Sequence, residues 1–125
     1  LCMAHADQIR AALHIDTIKT STFTWRSKPA GTTKKTTPGA QIDMVIERAD
    51  GMTHVCEIKF NKGLYVINKT EASKIEKRVN VYRAETNTRN GILVTLITPD
   101  GLASNAHSHI VDNCITLNAL FDTIT

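Results

Sequence analysis

The stretch 39–60 reads as one β-hairpin, because two runs rich in apolar and β-branched residues flank the turn signal Asp50-Gly51. A three-residue loop Ala49-Asp50-Gly51, with Gly51 in the left-handed region that a residue without Cβ enters freely, pairs Arg48 with Met52 and sets Asp43 opposite Glu57. A two-residue Asp50-Gly51 loop would set Asp43 opposite Ile58 instead. Alternation favours the first register. Ile42, Met44, Ile46, Cys56, Ile58 and Phe60 then form an apolar face directed at the core, with His54 its one polar member. Gln41, Asp43, Glu47, Thr53, Glu57 and Lys59 form a polar face around Val45 and Val55, and a slip of one residue would bury its carboxylates. Residues directly opposite have Cβ atoms roughly 4.5–5.5 Å apart, so Asp43, Glu57 and Lys59 are expected to converge on one side. A solvated surface with cross-strand charge pairs would use the same residue types.

Before the hairpin, Cys2, Ala6, Ile9 and Leu13 recur at helical spacing and predict an amphipathic helix over residues 1–14. Residues 20–27 are Thr-rich with Phe23 and Trp25 alternating, which predicts a strand pairing with the one that holds Asp43. Residues 28–38 hold Thr, Lys, Gly and Pro with almost nothing to bury, and predict a flexible polar loop. Its Gly31-Thr32-Thr33-Lys34-Lys35 lacks the second Gly and the following apolar helix of an ATP-binding P-loop, but Lys34 and Lys35 are candidate contacts to a phosphate backbone.

After Phe60, Asn61-Lys62-Gly63 breaks the strand and Leu64-Tyr65-Val66 is a short extended piece. Asn68 or Thr70 can cap a helix running to about Glu85, with Ala72, Ile75, Val79 and Tyr82 as its buried stripe. Lys74, Lys77 and Arg78 gather on a neighbouring face, and with Arg89 beyond the helix they are candidate nucleic-acid contacts diluted by Glu71, Glu76 and Glu85. The continuous apolar run at 91–98 predicts a strand buried on both faces and parallel to its neighbour, reached by a right-handed crossover. Residues 110–117 predict a final short strand and 117–121 a terminal helical turn. His107, His109 and Cys114 read as loop residues in preference to a metal set.

At 125 residues and a formal net charge of +3, the chain is sized for one domain, and its charge permits nucleic acid without demanding it. Its three cysteines lie far apart without Cys-x-x-Cys spacing, which suggests neither a disulfide framework nor a zinc knuckle and points to a reducing, cytoplasmic setting. No apolar run is long enough for a membrane span. Leu1 at the start in place of Met is the expectation for a domain cut from a longer chain.

An Asp on one strand with Glu57-Ile58-Lys59 on its antiparallel neighbour resembles the signature of the PD-(D/E)XK nuclease superfamily, with Ile42 where the family has Pro. Over nearly the whole chain, Gly39-Ala40-Gln41-Ile42-Asp43, Cys56-Glu57-Ile58-Lys59-Phe60, Thr86-Asn87-Thr88-Arg89 and Leu96-Ile97-Thr98-Pro99-Asp100-Gly101-Leu102 are similar to the C-terminal nuclease-like domain of bacterial AAA-type ATP-binding proteins. The resemblance implies an α/β domain with a restriction-endonuclease-like αβββαβ core, its mixed central sheet flanked by helices. It implies that Asp43, Glu57 and the carbonyl of Ile58 hold Mg²⁺ or Mn²⁺, with Lys59 acting on the attacking water, for hydrolysis of DNA. Gln41, directly opposite Lys59 in the three-residue register, is a candidate supporting residue, and packing at the strand start would explain it equally well. An ATPase domain in the full-length protein would be the partner. The family's Glu at the first helix has no counterpart, since Asp7 is the only acid there. A nuclease-fold module that docks DNA or a protein without turnover and regulates the fused ATPase is the alternative.

Overall fold

The computed structural model of the chain describes residues 5–27 and 40–117. Helix α1 (Ala6–Ala12) leads into a meander of β1 (Thr20–Arg26), β2 (Gln41–Arg48) and β3 (Met52–Ile58). Helix α2 (Lys69–Thr86) then returns the chain so that β4 (Gly91–Thr98) runs parallel to β3, and β5 (Asn113–Thr116) runs parallel to β4. The strands pair in chain order, which makes a mixed α/β fold with one five-stranded mixed sheet and two α-helices among the described residues. The final strand is shorter than the predicted 110–117 because a 3-10 turn, Ser108–Ile110, takes up the start of that run. The predicted loop 28–38 and most of the predicted terminal turn lie outside the described residues.

The hairpin adopts the three-residue register: Met44 faces Cys56, Val45 faces Val55, Ile46 faces His54 and Glu47 faces Thr53. Gly51 has φ +92° and its N–H returns to the Arg48 carbonyl at 3.2 Å, a backbone conformation that side chains with a Cβ avoid.

Each sheet face has its own core layer. Met44, Ile46, Cys56, Ile97 and Ile115 pack against Ile9 of α1 and Ile15 beyond it. On the other face Ile42, Val45 and Val55 pack against Tyr82 of α2, with Phe23, Trp25, Val79 and Ile92 around them. The side expected to be polar is therefore also a core side: Val45, Val55 and Thr53 are fully buried and Glu57 is only 8% exposed. The physical reason is α2, whose stripe of Ala72, Ile75, Val79 and Tyr82 needs an apolar floor and finds it on Val45 and Val55. Ile42 also departs from the expected face. Phe23 pairs with Val45 but Trp25 pairs with Ile42, so Asp43 and Met44 both stand opposite Thr24 in a β-bulge, and Ile42 joins the α2 side. Phe60, expected in the core, is 64% exposed because β3 ends at Ile58 and the chain leaves the sheet before it.

Helix α2 starts where the sequence allows it to. The Asn68 side chain accepts the Glu71 N–H at 2.8 Å, and the helix ends on Asn87 in the left-handed conformation (φ +53°) with its N–H on the Arg83 carbonyl.

His54 is the polar exception in the α1-side layer. It is buried, its Nδ1 lies 2.9 Å from Thr95 Oγ1, and its Nε2 lies 3.3 Å from Arg48 Nη1. Since the guanidinium only donates, Nε2 accepts and Nδ1 carries the proton of a neutral ring. Burial, and then the Arg48 charge, hold His54 below its ordinary value, against smaller opposing effects of Asp50 and Asp112. Below about pH 6.5 the unfolded chain takes up a proton at this ring that the folded chain refuses. Stability should fall as pH is lowered from that point, and His54→Gln should flatten the slope. Melting temperature against pH for both proteins is the check, and parallel curves would count against it.

Candidate functional site

The end of β3 and the start of the following loop place Glu57 and Lys59 where both reach α2. Arg78 Nε donates to Glu57 Oε1 at 2.7 Å, an ion pair largely withdrawn from water. Two helical turns toward the N-terminus, Glu71 collects three partners: Lys59 Nζ lies 3.5 Å and the Tyr65 hydroxyl 3.4 Å from its Oε2, and Lys74 Nζ lies 3.9 Å from its Oε1. Lys59 Nζ also sits 5.9 Å from the centre of the Tyr65 ring, within cation–π reach. Burial, and then the Glu71 carboxylate beside it, push the Tyr65 hydroxyl above its ordinary value, so it stays a donor to Glu71 through the neutral range.

Asp43 has other hydrogen-bond partners. The β2–β3 ladder stops at Met44 and Cys56, one step short of Asp43 and Glu57, where the bulge bends β2. The Thr24 hydroxyl donates to the Asp43 carbonyl at 3.0 Å, and Gln41 Nε2 donates to Asp43 Oδ1 at 3.0 Å, with both side chains exposed. Gln41 thus partners Asp43 in place of the expected Lys59. Glu57 and Lys59 both bond residues of α2, whereas the bonds of Asp43 run to Gln41 and Thr24.

The other sequence candidates divide. Lys77 and Arg89 are exposed, and Lys74 is exposed while leaning on Glu71. Arg78 is partly buried and its Nε is engaged by Glu57. Lys34 and Lys35 lie outside the described residues.

Asp43, Glu57 and a carbonyl of Ile58 are hard oxygen donors of the kind Mg²⁺ takes. Their arrangement is another matter. Among the described residues no three His, Cys, Asp or Glu side chains gather in a metal-holding group. A divalent ion at Glu57 would meet the Arg78 guanidinium already bonded there, and Asp43 is turned to Gln41. Each bond occupies one carboxylate oxygen, Glu57 Oε1 and Asp43 Oδ1, so an ion held there would share Glu57 with Arg78 and Asp43 with Gln41.

Tyr65 and Glu71, which complete the charged cluster, were not singled out from the sequence. The Asn68-x-x-Glu71 spacing does locate Glu71 in the first turn of α2, but its approach to Lys59 depends on the path of residues 60–67. That path is fixed at long range: Gly63 N–H bonds Asp100 Oδ2 at 2.8 Å, Tyr65 N–H the Gly101 carbonyl at 2.8 Å, Ala103 N–H the Tyr65 carbonyl at 2.9 Å, and Asn105 Nδ2 the Ile67 carbonyl at 2.9 Å.

No protein family and no curated protein matches the chain. Among solved structures, a protein described as of unknown function, AF1548, is similar over 96% of this chain with a TM-score of 0.57 and 14% identity. The match covers 65% of that structure's chain, and at this identity it speaks to the fold alone. Among the described residues no helix is long and apolar enough to cross a membrane.

Proposed function

We propose that the chain is a nuclease-like domain with a restriction-endonuclease-like core, attached to an AAA-type ATPase, and that it engages the phosphodiester backbone of nucleic acid. The observation that carries the reading is the charge arrangement around α2. Glu57 is neutralised by Arg78 beneath the helix, while Lys74 and Lys77 on the helix and Arg89 beyond it face solvent. Over residues 69–89 the exposed charged side chains are Lys69, Lys74, Lys77, Arg83 and Arg89 against Glu76 and Glu85, an excess of cations of the kind a polyanion requires of a surface. Lys59 sits at the margin, shared between Glu71 and the Tyr65 ring, and is placed to exchange Glu71 for a phosphate.

Binding without turnover is the form this geometry supports best. Hydrolysis with Mg²⁺ is the second reading, favoured by Glu57 and Lys59 reaching α2 side by side, with Asp43 one register step beyond the last ladder pair. It requires a metal ion to compete with Arg78 for Glu57 and with Gln41 for Asp43.

Two measurements test the pair of readings. Oligonucleotide affinity should fall with salt, and Lys77→Gln should lower the slope of log affinity against log salt by about one for the phosphate contact removed. A slope unchanged in Lys74→Gln and Lys77→Gln would reject the proposed surface. Mn²⁺ calorimetry with plasmid nicking decides on hydrolysis: cleavage lost in both Glu57→Gln and Lys59→Ala, with metal binding lost only in Glu57→Gln, would replace the binding reading by the hydrolytic one.

A further inference from the structure

The segment between β3 and α2 exposes three large apolar side chains: Phe60 is 64%, Leu64 57% and Val66 58% exposed. Exposure at this level on a wandering loop would carry little meaning. Here the backbone is fastened by the four hydrogen bonds from residues 63, 65 and 67 to the segment after β4, and Tyr65 forms a parallel bridge with Leu102. Within this extended piece Ile67 is buried and Tyr65 half-buried, so Leu64 and Val66 alternate outward. The apolar groups are held in place with nothing of the described protein to cover them.

Their surroundings indicate what would cover them. Residues 58–70 contain Lys59, Lys62 and Lys69 and no acidic residue, and Lys62 and Lys69 are exposed. Phe60 lies between Lys59, which the proposed function assigns to a phosphate, and the exposed Lys62, so an ammonium group stands within two residues of the ring on either side along the chain. An exposed aromatic face with lysines around it matches a nucleotide in both halves, base on ring and phosphate on ammonium. A duplex keeps its base faces stacked and offers none to Phe60; an unpaired strand does.

We propose that Phe60, in one exposed segment with Leu64 and Val66 and between Lys59 and Lys62 in the chain, is a stacking platform for an unpaired base of single-stranded nucleic acid. This rests on the nucleic-acid reading above and narrows its substrate class, without requiring cleavage.

The test is fluorescence anisotropy of a labelled single-stranded oligodeoxynucleotide and of the same sequence as a duplex, in EDTA so that turnover plays no part. The wild type should bind the single strand more tightly than the duplex. Phe60→Ala should weaken single-strand binding by at least about five-fold and leave duplex binding unchanged, because one base-stacking contact is removed. Lys62→Gln should weaken both and reduce the salt slope. Phe60→Leu, which keeps apolar bulk without the ring, should behave like Phe60→Ala. Equal single-strand affinity in wild type and Phe60→Ala overturns the platform, and so does loss of self-association in Phe60→Ala by sedimentation, which would assign the patch to a second copy. Absence of any oligonucleotide binding by the wild type overturns the platform and the proposed function together, whereas duplex binding without single-strand preference overturns the platform alone.

Discussion

Arg78→Met should cost the fold about 2–4 kcal/mol, because it leaves Glu57 with its carboxylate nearly buried and its charge uncompensated. The figure is set below that for a fully buried pair since the Arg78 side chain keeps 22% of its exposure. Most of the penalty belongs to the stranded carboxylate and little to the ion pair as such, so the double variant Arg78→Met with Glu57→Gln should recover a large part of it. Urea unfolding of the single and double variants closes the cycle. Single variants that unfold within about 0.5 kcal/mol of the wild type would mean that water reaches Glu57 freely. The same variant addresses hydrolysis: removing the guanidinium vacates Glu57, and Mn²⁺ should raise the melting temperature of Arg78→Met only if Glu57 belongs to a metal site.

Tyr82→Ala should be costlier still, about 3–5 kcal/mol. Tyr82 is 1% exposed and is the largest side chain between α2 and the sheet, and it meets Trp25 edge-on with ring centres 5.1 Å apart and planes at 78°. Losing the ring opens a cavity under the helix and removes the contact that joins α2 to β1. Tyr82→Phe, which keeps the ring, should retain most of the stability. Trp25 is the sole tryptophan, so its fluorescence reports the junction directly during unfolding. Tyr82→Ala with wild-type stability and an unshifted emission maximum would show that α2 is held by other contacts.

Much of this architecture is written locally in the chain. The Asp50-Gly51 turn and the alternation of Met44, Ile46 and Cys56 give the hairpin and its register, Asn68 and the Ala72, Ile75, Tyr82 stripe give α2, and the unbroken apolar run at 91–98 gives a strand covered on both sides. What failed to show was decided by partners distant in sequence. The side of the hairpin holding Glu57 looked polar because alternation counts residue types on one strand and has no knowledge of a helix arriving from further along. Glu57 is buried there since Arg78 comes with the helix to meet it. Ile42 changes faces through a bulge that no Gly announces, and the β2–β3 ladder ends at Met44 and Cys56, one pair before Asp43 and Glu57. Phe60 continues the hydrophobic alternation by one residue after the strand itself has ended.

The sheet's two kinds of pairing set an order of assembly. The contacts of β1, β2 and β3 join consecutive antiparallel strands, whereas β4 can pair with β3 only after α2 has been traversed, and β5 waits on β4. Loop closure therefore delays the parallel half, and the meander forms as the early nucleus. The fastening points of residues 63–67, namely Asp100, Gly101, Ala103 and Asn105, follow β4, and Asn61 is held by Thr98 at its end, so the apolar surface there is assembled late. In pulse-labelled hydrogen exchange during refolding, the Tyr65 and Ala103 amides should gain protection together with β4 and after the hairpin. On a chain being synthesised from its N-terminus, this surface would stay unbuilt until residue 105 had emerged.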